Sequence, residues 1–300
     1  MTRNSGSFLG AIQNLTGGGA RAEVEKLEAE LAHHKAEIER LTAKHRADKS
    51  RVKAMTREIA DKDQQVRDLE KICMRLFKEA RGFALLPPPE LRIHVGRTTD
   101  ASNWWGQGQN SSRRVVEIFG ESPEGLVLDW GCGSGRTLNW LYAYPGWREM
   151  YRGCDIDAEA IKWLKGQGFD QVEVCGVFPP LPYPDDTFVG LFNFSVLTHI
   201  EPDRHHLWYK EMARILKPGG VAHITVQSDA TIDNGKSYLE EEREAYRRTG
   251  QLFSEREGHY KHSAVVSESF TRAALDGVLQ VERYSPAGYA RMDEIIARKV

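Results

Sequence analysis

Between Val24 and Leu76 the apolar residues recur in alternating steps of three and four. With Val24 at heptad position a, the a/d series runs Val24, Leu27, Leu31, His34, Ile38, Leu41, His45, Asp48, Val52, Met55, Ile59, Lys62, Val66, Leu69, Cys73 and Leu76. Twelve of these sixteen positions are apolar, and no Pro or Gly interrupts residues 22–80. A seam kept up for about eight heptads predicts a coiled coil. A lone solvated helix would leave the stripe in water. At about 1.5 Å rise per residue the coil would run ~80 Å. The polar positions His34, His45, Asp48 and Lys62 either set register or are merely tolerated. Flanking charges leave orientation open. In a parallel pair Glu30 meets Lys35, yet Glu23 faces Glu28 and Lys44 faces Lys49. A homodimer is expected, with the parallel arrangement preferred.

At Leu86-Pro-Pro-Pro89 the period changes. Proline bars helix continuation and marks a domain boundary. Beyond it, short apolar runs predict strands near 126–130, 151–155, 171–175, 188–194 and 220–227, with helices between them. A last helix is expected near 265–276, and final strands near 278–285 and 293–299. Alternation of this kind predicts an α/β fold: a Rossmann-like, seven-stranded, mostly parallel sheet with helices on both faces. The expected domains are a flexible leader (1–20), the coiled coil (21–82) and a catalytic domain (83–300). Within the last, residues 228–264 form a polar insertion on the substrate side, with one helix over Lys236–Arg248. In the leader, Ser7–Leu15 is weakly amphipathic; it is either disordered or a docking segment.

Hydrophobic residues make up 40% of the chain, which the charged N-terminal segment explains. A net charge of −2 argues against a nucleic-acid surface. No apolar run is long enough to span a membrane, and no secretory signal opens the chain. Cys73, Cys132, Cys154 and Cys175 show neither disulfide nor metal-ligand spacing, so no metal site is expected and a cytoplasmic location is.

The chemistry concentrates in residues 127–136, Val-Leu-Asp-Trp-Gly-Cys-Gly-Ser-Gly-Arg. An apolar run ends in Asp129, and Gly131, Gly133 and Gly135 follow at alternate positions before a helix-like stretch, Thr137–Tyr142. A strand–glycine loop–helix unit lets backbone approach a ligand closely. A second strand-like run ends in Asp155, where a carboxylate can accept both hydroxyls of a ribose. Arg136 stands where a dinucleotide fingerprint wants its third glycine, and no Gly-Lys-Ser/Thr makes a P-loop. Downstream come Pro180-Leu-Pro-Tyr-Pro-Asp-Asp-Thr-Phe188, Ser195-Val-Leu-Thr-His199 and Glu211-Met-Ala-Arg-Ile-Leu-Lys-Pro-Gly-Gly220, the last read as a helix closed by its glycines.

Taken in order, these motifs resemble those of class I S-adenosylmethionine-dependent methyltransferases, over about residues 88–300. The resemblance implies S-adenosyl-L-methionine as cofactor, with Asp129 near its amino acid end, the three glycines along it and Asp155 on the ribose. Ile156 would pack on the adenine. Asp129 has the alternative of capping its turn, and Asp155 of capping the next helix. Such enzymes often carry an acid before the leucine-proline element for the adenine amine. Here Cys175-Gly-Val-Phe-Pro179 has none, so Val177 or Phe178 is expected against the base.

On the acceptor side, His199 either takes a hydroxyl proton or packs the following helix. His262 reaches the pocket or lies on the surface. Trp104-Trp105-Gly-Gln-Gly-Gln109 would lid the donor, stack on a sugar, or simply pack. His205 and His206 point apart on a helix. The region also resembles bacterial methyltransferases of polysaccharide biosynthesis, which implies O-methylation of a sugar or glycan hydroxyl beside membrane-associated glycan machinery. The alternatives are a small-molecule O- or N-methyltransferase and a non-catalytic coiled-coil scaffold.

Overall fold

The computed structural model describes residues 18–81, 84–95, 99–234, 238–255 and 262–300. The Ser7–Leu15 segment lies outside them. The chain divides into two compact units, Met1–Lys71 and Ile72–Val300. Helix α1 (Gly18–Arg81) accounts for the described part of the first, and it begins inside the expected leader. Its apolar seam is solvent-facing: Leu31 is 55% exposed, Ile38 63% and Leu69 61%.

In the second unit, helix α2 (Ala101–Phe119) precedes strand β1 (Val127–Trp130). Helices α3 (Leu138–Leu141) and α4 (Pro145–Met150) lead to β2 (Tyr151–Asp155), and α5 (Ala158–Gly166) to β3 (Val172–Val174). Then follow β4 (Phe188–Phe192), α6 (His205–Ile215) and β5 (Leu216–Val226). The insertion holds α7 (Asp229–Asn234), α8 (Glu240–Thr249), β6 (Gln251–Glu255) and β7 (His262–Val266). Helix α9 (Glu268–Leu275) and strands β8 (Gln280–Tyr289) and β9 (Met292–Arg298) close the chain.

The expected seven-stranded sheet is present, in the order β3-β2-β1-β4-β5-β9-β8. Strands β3 through β5 pair in parallel, and the β8–β9 hairpin adds two antiparallel strands. Strand order reverses about β1, so a crevice opens at the carboxyl ends of β1, β2 and β4. Successive β1 side chains enter opposite layers. Leu128 and Trp130 join a core with Leu191, Met212 and Ile224. Val127 joins the other, with Trp104, Leu164 and Phe192. No helix among the described residues is long and apolar enough to cross a membrane.

Several boundaries differ from expectation. Helix α6 stops at Ile215, because Lys217 precedes Pro218 and the residue before a proline is pushed out of the helical region. The Lys-Pro-Gly-Gly segment therefore lies within β5. Strand β4 ends at Phe192, since the chain turns at Ser195 with φ of 66°. The helix expected from 265 starts at Glu268, where Ser267 accepts from the backbone N–H of Phe270 as an N-cap. Residues 262–266 instead pair with β6 in a separate two-stranded sheet.

Helix α2 is locked to the chain below it at Gly108, where a Cβ would meet the carbonyl oxygen of Arg136. Gly108→Ala should therefore destabilise the protein by about 1–3 kcal/mol in denaturant unfolding. Gly106→Ala, on the same helix with open space around it, should stabilise it by up to ~1 kcal/mol.

Candidate functional site

The crevice floor is the loop leaving β1. The N–H groups of Gly131 and Cys132 both donate to the Cys154 carbonyl, at 2.8 and 3.1 Å. The Gly133 N–H donates to Asp155 Oδ2 at 2.7 Å, and the Asp157 N–H to Oδ1 at 2.9 Å. Gly131 has a φ of 86°, and a Cβ there would strike Val196. A side chain is thus excluded by both conformation and space. Burial raises the Asp155 carboxyl, while the backbone donors from Asp157 and Gly133 oppose the rise. Asp129 accepts from the Tyr151 hydroxyl at 2.9 Å. Burial pushes its carboxyl up to about 7, against Tyr151 and Arg136 and aided by Asp155.

Above the loop lies a cavity of about 1170 Å³. Asp129, Gly131, Gly133, Asp155, Ile156, Val177, Phe178 and His199 all line it. Gly135 does not. A Cβ there would strike Leu164 of α5, so packing requires glycine at this position whatever its part toward a ligand. The aromatic pair near the start of α2 is core: Trp104 is fully buried, and the Trp105 indole donates to the Leu85 carbonyl. Both readings that set these rings over a donor or a sugar are corrected. What α2 does present to the cavity is polar: Gln107, Asn110, Arg114 and Glu117, at helical spacing, with Arg113 beside them. This stripe was readable in the sequence and was missed. Tyr289, at the β8–β9 turn, also lines the cavity and packs against Phe194, 4.7 Å between ring centroids. No sequence signal marks it.

Two networks fix the walls. Arg114 grips Glu294 of β9 through Nη2 at 2.7 Å, and His223 of β5 meets the same carboxylate at 2.9 Å. Burial raises Glu294, but His223 and Arg114 outweigh it and hold the carboxyl at about 2. On the other wall, His199 Nδ1 lies 3.0 Å from the main-chain oxygen of His262. The His262 ring stacks on Phe253, centroids 5.1 Å apart. Both rings line the cavity. Buried His205 holds the carbonyls of Leu197 and Ile200 at 3.1 and 3.0 Å, bracing the turn that carries His199. Burial lowers its pKa to about 4, so it stays neutral.

Residues 128–224 match the family model of a methyltransferase domain. Methyltransferase GfsG of Streptomyces halstedii is 27% identical over 158 residues, 47% of this chain and 53% of that one. Thiocyanate methyltransferase 1 of Brassica oleracea is 25% identical over 183 residues, 53% of this chain and 76% of that one. The tRNA (carboxymethyluridine(34)-5-O)-methyltransferase of Arabidopsis thaliana is 28% identical over 162 residues, 52% of this chain and 38% of that one. The chain thus spans about half of the first relative's length. Among solved structures, the PH0226 protein of Pyrococcus horikoshii OT3 superimposes with a TM-score of 0.51 at 16% identity, covering 67% of this chain and 93% of that one. Residues 128–224 thus resemble a methyltransferase domain, a family that uses S-adenosyl-L-methionine as its methyl donor, and the solved structure shares the fold of the second unit. The cavity fits that donor. It is large enough, and two buried carboxylates, Asp129 and Asp155, line it as candidate acceptors for an ammonium and a ribose.

Asp155→Ala should weaken binding of S-adenosylhomocysteine by roughly tenfold or more in calorimetry, through loss of charge-assisted hydrogen bonds. A carboxylate at Asp129 would pair with an ammonium only when ionised. With its pKa near 7 in the unliganded protein, affinity should fall up to about tenfold per pH unit below 7. Asp129→Asn should flatten that dependence. A carboxyl raised on folding costs stability above its unfolded pKa, so the same variant should melt higher than wild type at pH 8 without ligand.

Proposed function

We propose that this chain transfers the methyl group of S-adenosyl-L-methionine to a hydroxyl of a sugar or glycan, with His199 as general base, and that it acts as a cytoplasmic homodimer joined through α1. The observation that carries the reading is the contact between His199 Nδ1 and the His262 carbonyl. A carbonyl only accepts, so Nδ1 holds the proton and Nε2 is the basic nitrogen. The sulfonium donor, when bound, supplies an electrophilic methyl. A hydroxyl acceptor must lose its proton as it attacks, which is the work of a neutral imidazole. An amine attacks through a lone pair and has less need of a base.

The polar stripe on α2 and Gln227 supply several donors and acceptors to the cavity, which suits a polyhydroxyl ligand. The motif resemblance favours surface-polysaccharide biosynthesis, with membrane-associated glycan machinery as neighbour. The relatives' names span thiocyanate, tRNA uridine and sterol methylation. That range keeps a small-molecule O- or N-methyltransferase as the second reading. The buried carboxylates and intact loop weigh against a non-catalytic scaffold.

For the dimer, the support is the seam. Leu27, Leu31, Ile38, Leu41, Val52, Ile59, Val66 and Leu69 are each half exposed or more. Burying such side chains is worth about 1.5–3 kcal/mol each, and a second copy offers the complementary stripe along the whole length.

His199→Ala should lower kcat by roughly 10²–10⁴-fold while leaving the dissociation constant of S-adenosylhomocysteine unchanged. Unchanged turnover would return His199 to packing. Methyl transfer assayed on nucleotide-linked and lipid-linked sugars tests the acceptor class. Light scattering should give twice the chain mass of 34.0 kDa, and Ile38→Asp with Ile59→Asp should halve it. A wild-type monomer at micromolar concentration would refute the dimer.

A further inference from the structure

The polar positions in the seam of α1 are not equivalent. Between Val24 and Leu69 the seam holds fourteen positions, of which His34, His45, Asp48 and Lys62 are polar. Lys62 has a partner of its own, since its Nζ lies 2.7 Å from Glu58 one turn earlier on the same helix. The His34 ring lies edge-on to His33, centroids 5.8 Å apart. His45 and Asp48 differ. Both are exposed on α1, and neither has a hydrogen bond or ion pair among the described residues, although side chains three apart on a helix are neighbours. An imidazole and an acid thus stand together at the middle of an apolar stripe.

The two orientations of a coil treat them differently. Core layers of a parallel coil pair a with a and d with d. There Asp48 meets the second copy's Asp48, and His45 the second copy's His45. A buried layer of two carboxylates is unfavourable, because each is desolvated beside a like charge. Core layers of an antiparallel coil pair a with d. With the two-fold axis midway between Arg46 and Ala47, His45 meets the second copy's Asp48, and the symmetry repeats the pair. In the same register Val24 faces Leu69 and Ile38 faces Met55, so all fourteen positions are matched and none overhangs. A slip of one heptad in either direction sets both His45 and Asp48 against apolar residues, which penalises the neighbouring registers. Flanking charges stand at the solvent rim, where an ion pair is worth little, so the core layers decide. We propose that α1 pairs with a second copy of this chain in antiparallel orientation, its register fixed by two central His45–Asp48 pairs, in place of the parallel arrangement preferred from sequence. This rests on the dimer proposed above.

The test is the distance between two spin labels in the full-length dimer. The label goes on Ala29→Cys, on the outward face of α1, in a Cys73→Ala background; Cys132, Cys154 and Cys175 are buried. In the antiparallel register the labels should lie about 50 Å apart along the axis, and a one-heptad slip would move them by about 10 Å. A parallel dimer would hold them within roughly 30 Å, the width of two labelled helices. A dimer giving any distance but the long one overturns the orientation or the register. Should the labelled variant fail to dimerise, oxidation of a mixture decides. In the same background, Leu41→Cys and Val52→Cys proteins should cross-link to each other, because these positions face one another across the antiparallel core. Leu41→Cys protein that links to itself, or a mixture that yields no mixed product, refutes the arrangement. Wild type that is monomeric by light scattering would overturn the dimer itself, an outcome distinct from a dimer of the wrong orientation.

Discussion

Everything at the candidate site hangs on the stitching of the β1 loop to the end of β2. The carbonyl of Cys154 takes two consecutive backbone donors, and the carboxylate of Asp155 takes a third from Gly133. These bonds hold the glycine loop open as a cradle, since the donors that would otherwise close it into a regular helical start are turned toward β2. They also bring Asp129 and Asp155 into one cavity, where Asp155 raises the cost of ionising Asp129. Topology supplies the opportunity, because order reverses at β1 and no strand crosses above it. The main-chain bonds decide the shape.

That shape is a store of unfavourable electrostatics. Asp129 and Asp155 are buried acids whose carboxyls are raised by desolvation. Glu294 lies in the same domain and is as inaccessible as they are, yet it is held low because His223 and Arg114 surround it. The contrast separates two uses of a buried acid. Glu294 is satisfied within the fold and ties α2 to the sheet. Asp129 and Asp155 are buried with fewer charged partners, and under the proposed function a ligand with positive charge and hydroxyl donors would complete them. Stability is surrendered locally so that binding energy is available later.

Much of this was legible in the chain. Asp-x-Gly-x-Gly-x-Gly followed by a distant acid located the cradle, because all three glycines take positive φ, a conformation that other residues rarely adopt. The parallel strands were short apolar runs, and their burial on both faces explains why. The insertion was harder. Gln251–Glu255 and His262–Val266 mix polar and apolar residues and belong to a small two-stranded sheet, so their period was weak, and the second run was absorbed into the helix that follows. Ser267 was the missed boundary, as an N-cap residue directly after two β-branched valines. Gly135 was grouped with its neighbours by spacing, and only the fold reveals that Leu164 packs where its Cβ would be. The Trp pair misled for a related reason: aromatic rings beside glycines suggest a ligand platform, whereas here they fill the core under α2.

The hydrogen bond that orients His199 ends on main chain, at the oxygen of residue 262. Every amino acid carries that oxygen. The side chain at 262 can therefore drift among relatives while the imidazole keeps the same tautomer, provided that β7 stays in register with β6. Co-variation between positions 199 and 262 would then be faint even though the two are in direct contact. What must be preserved is the strand pairing, and its trace in sequence would fall on Ala264 and Phe253, which sit opposite each other in that small sheet.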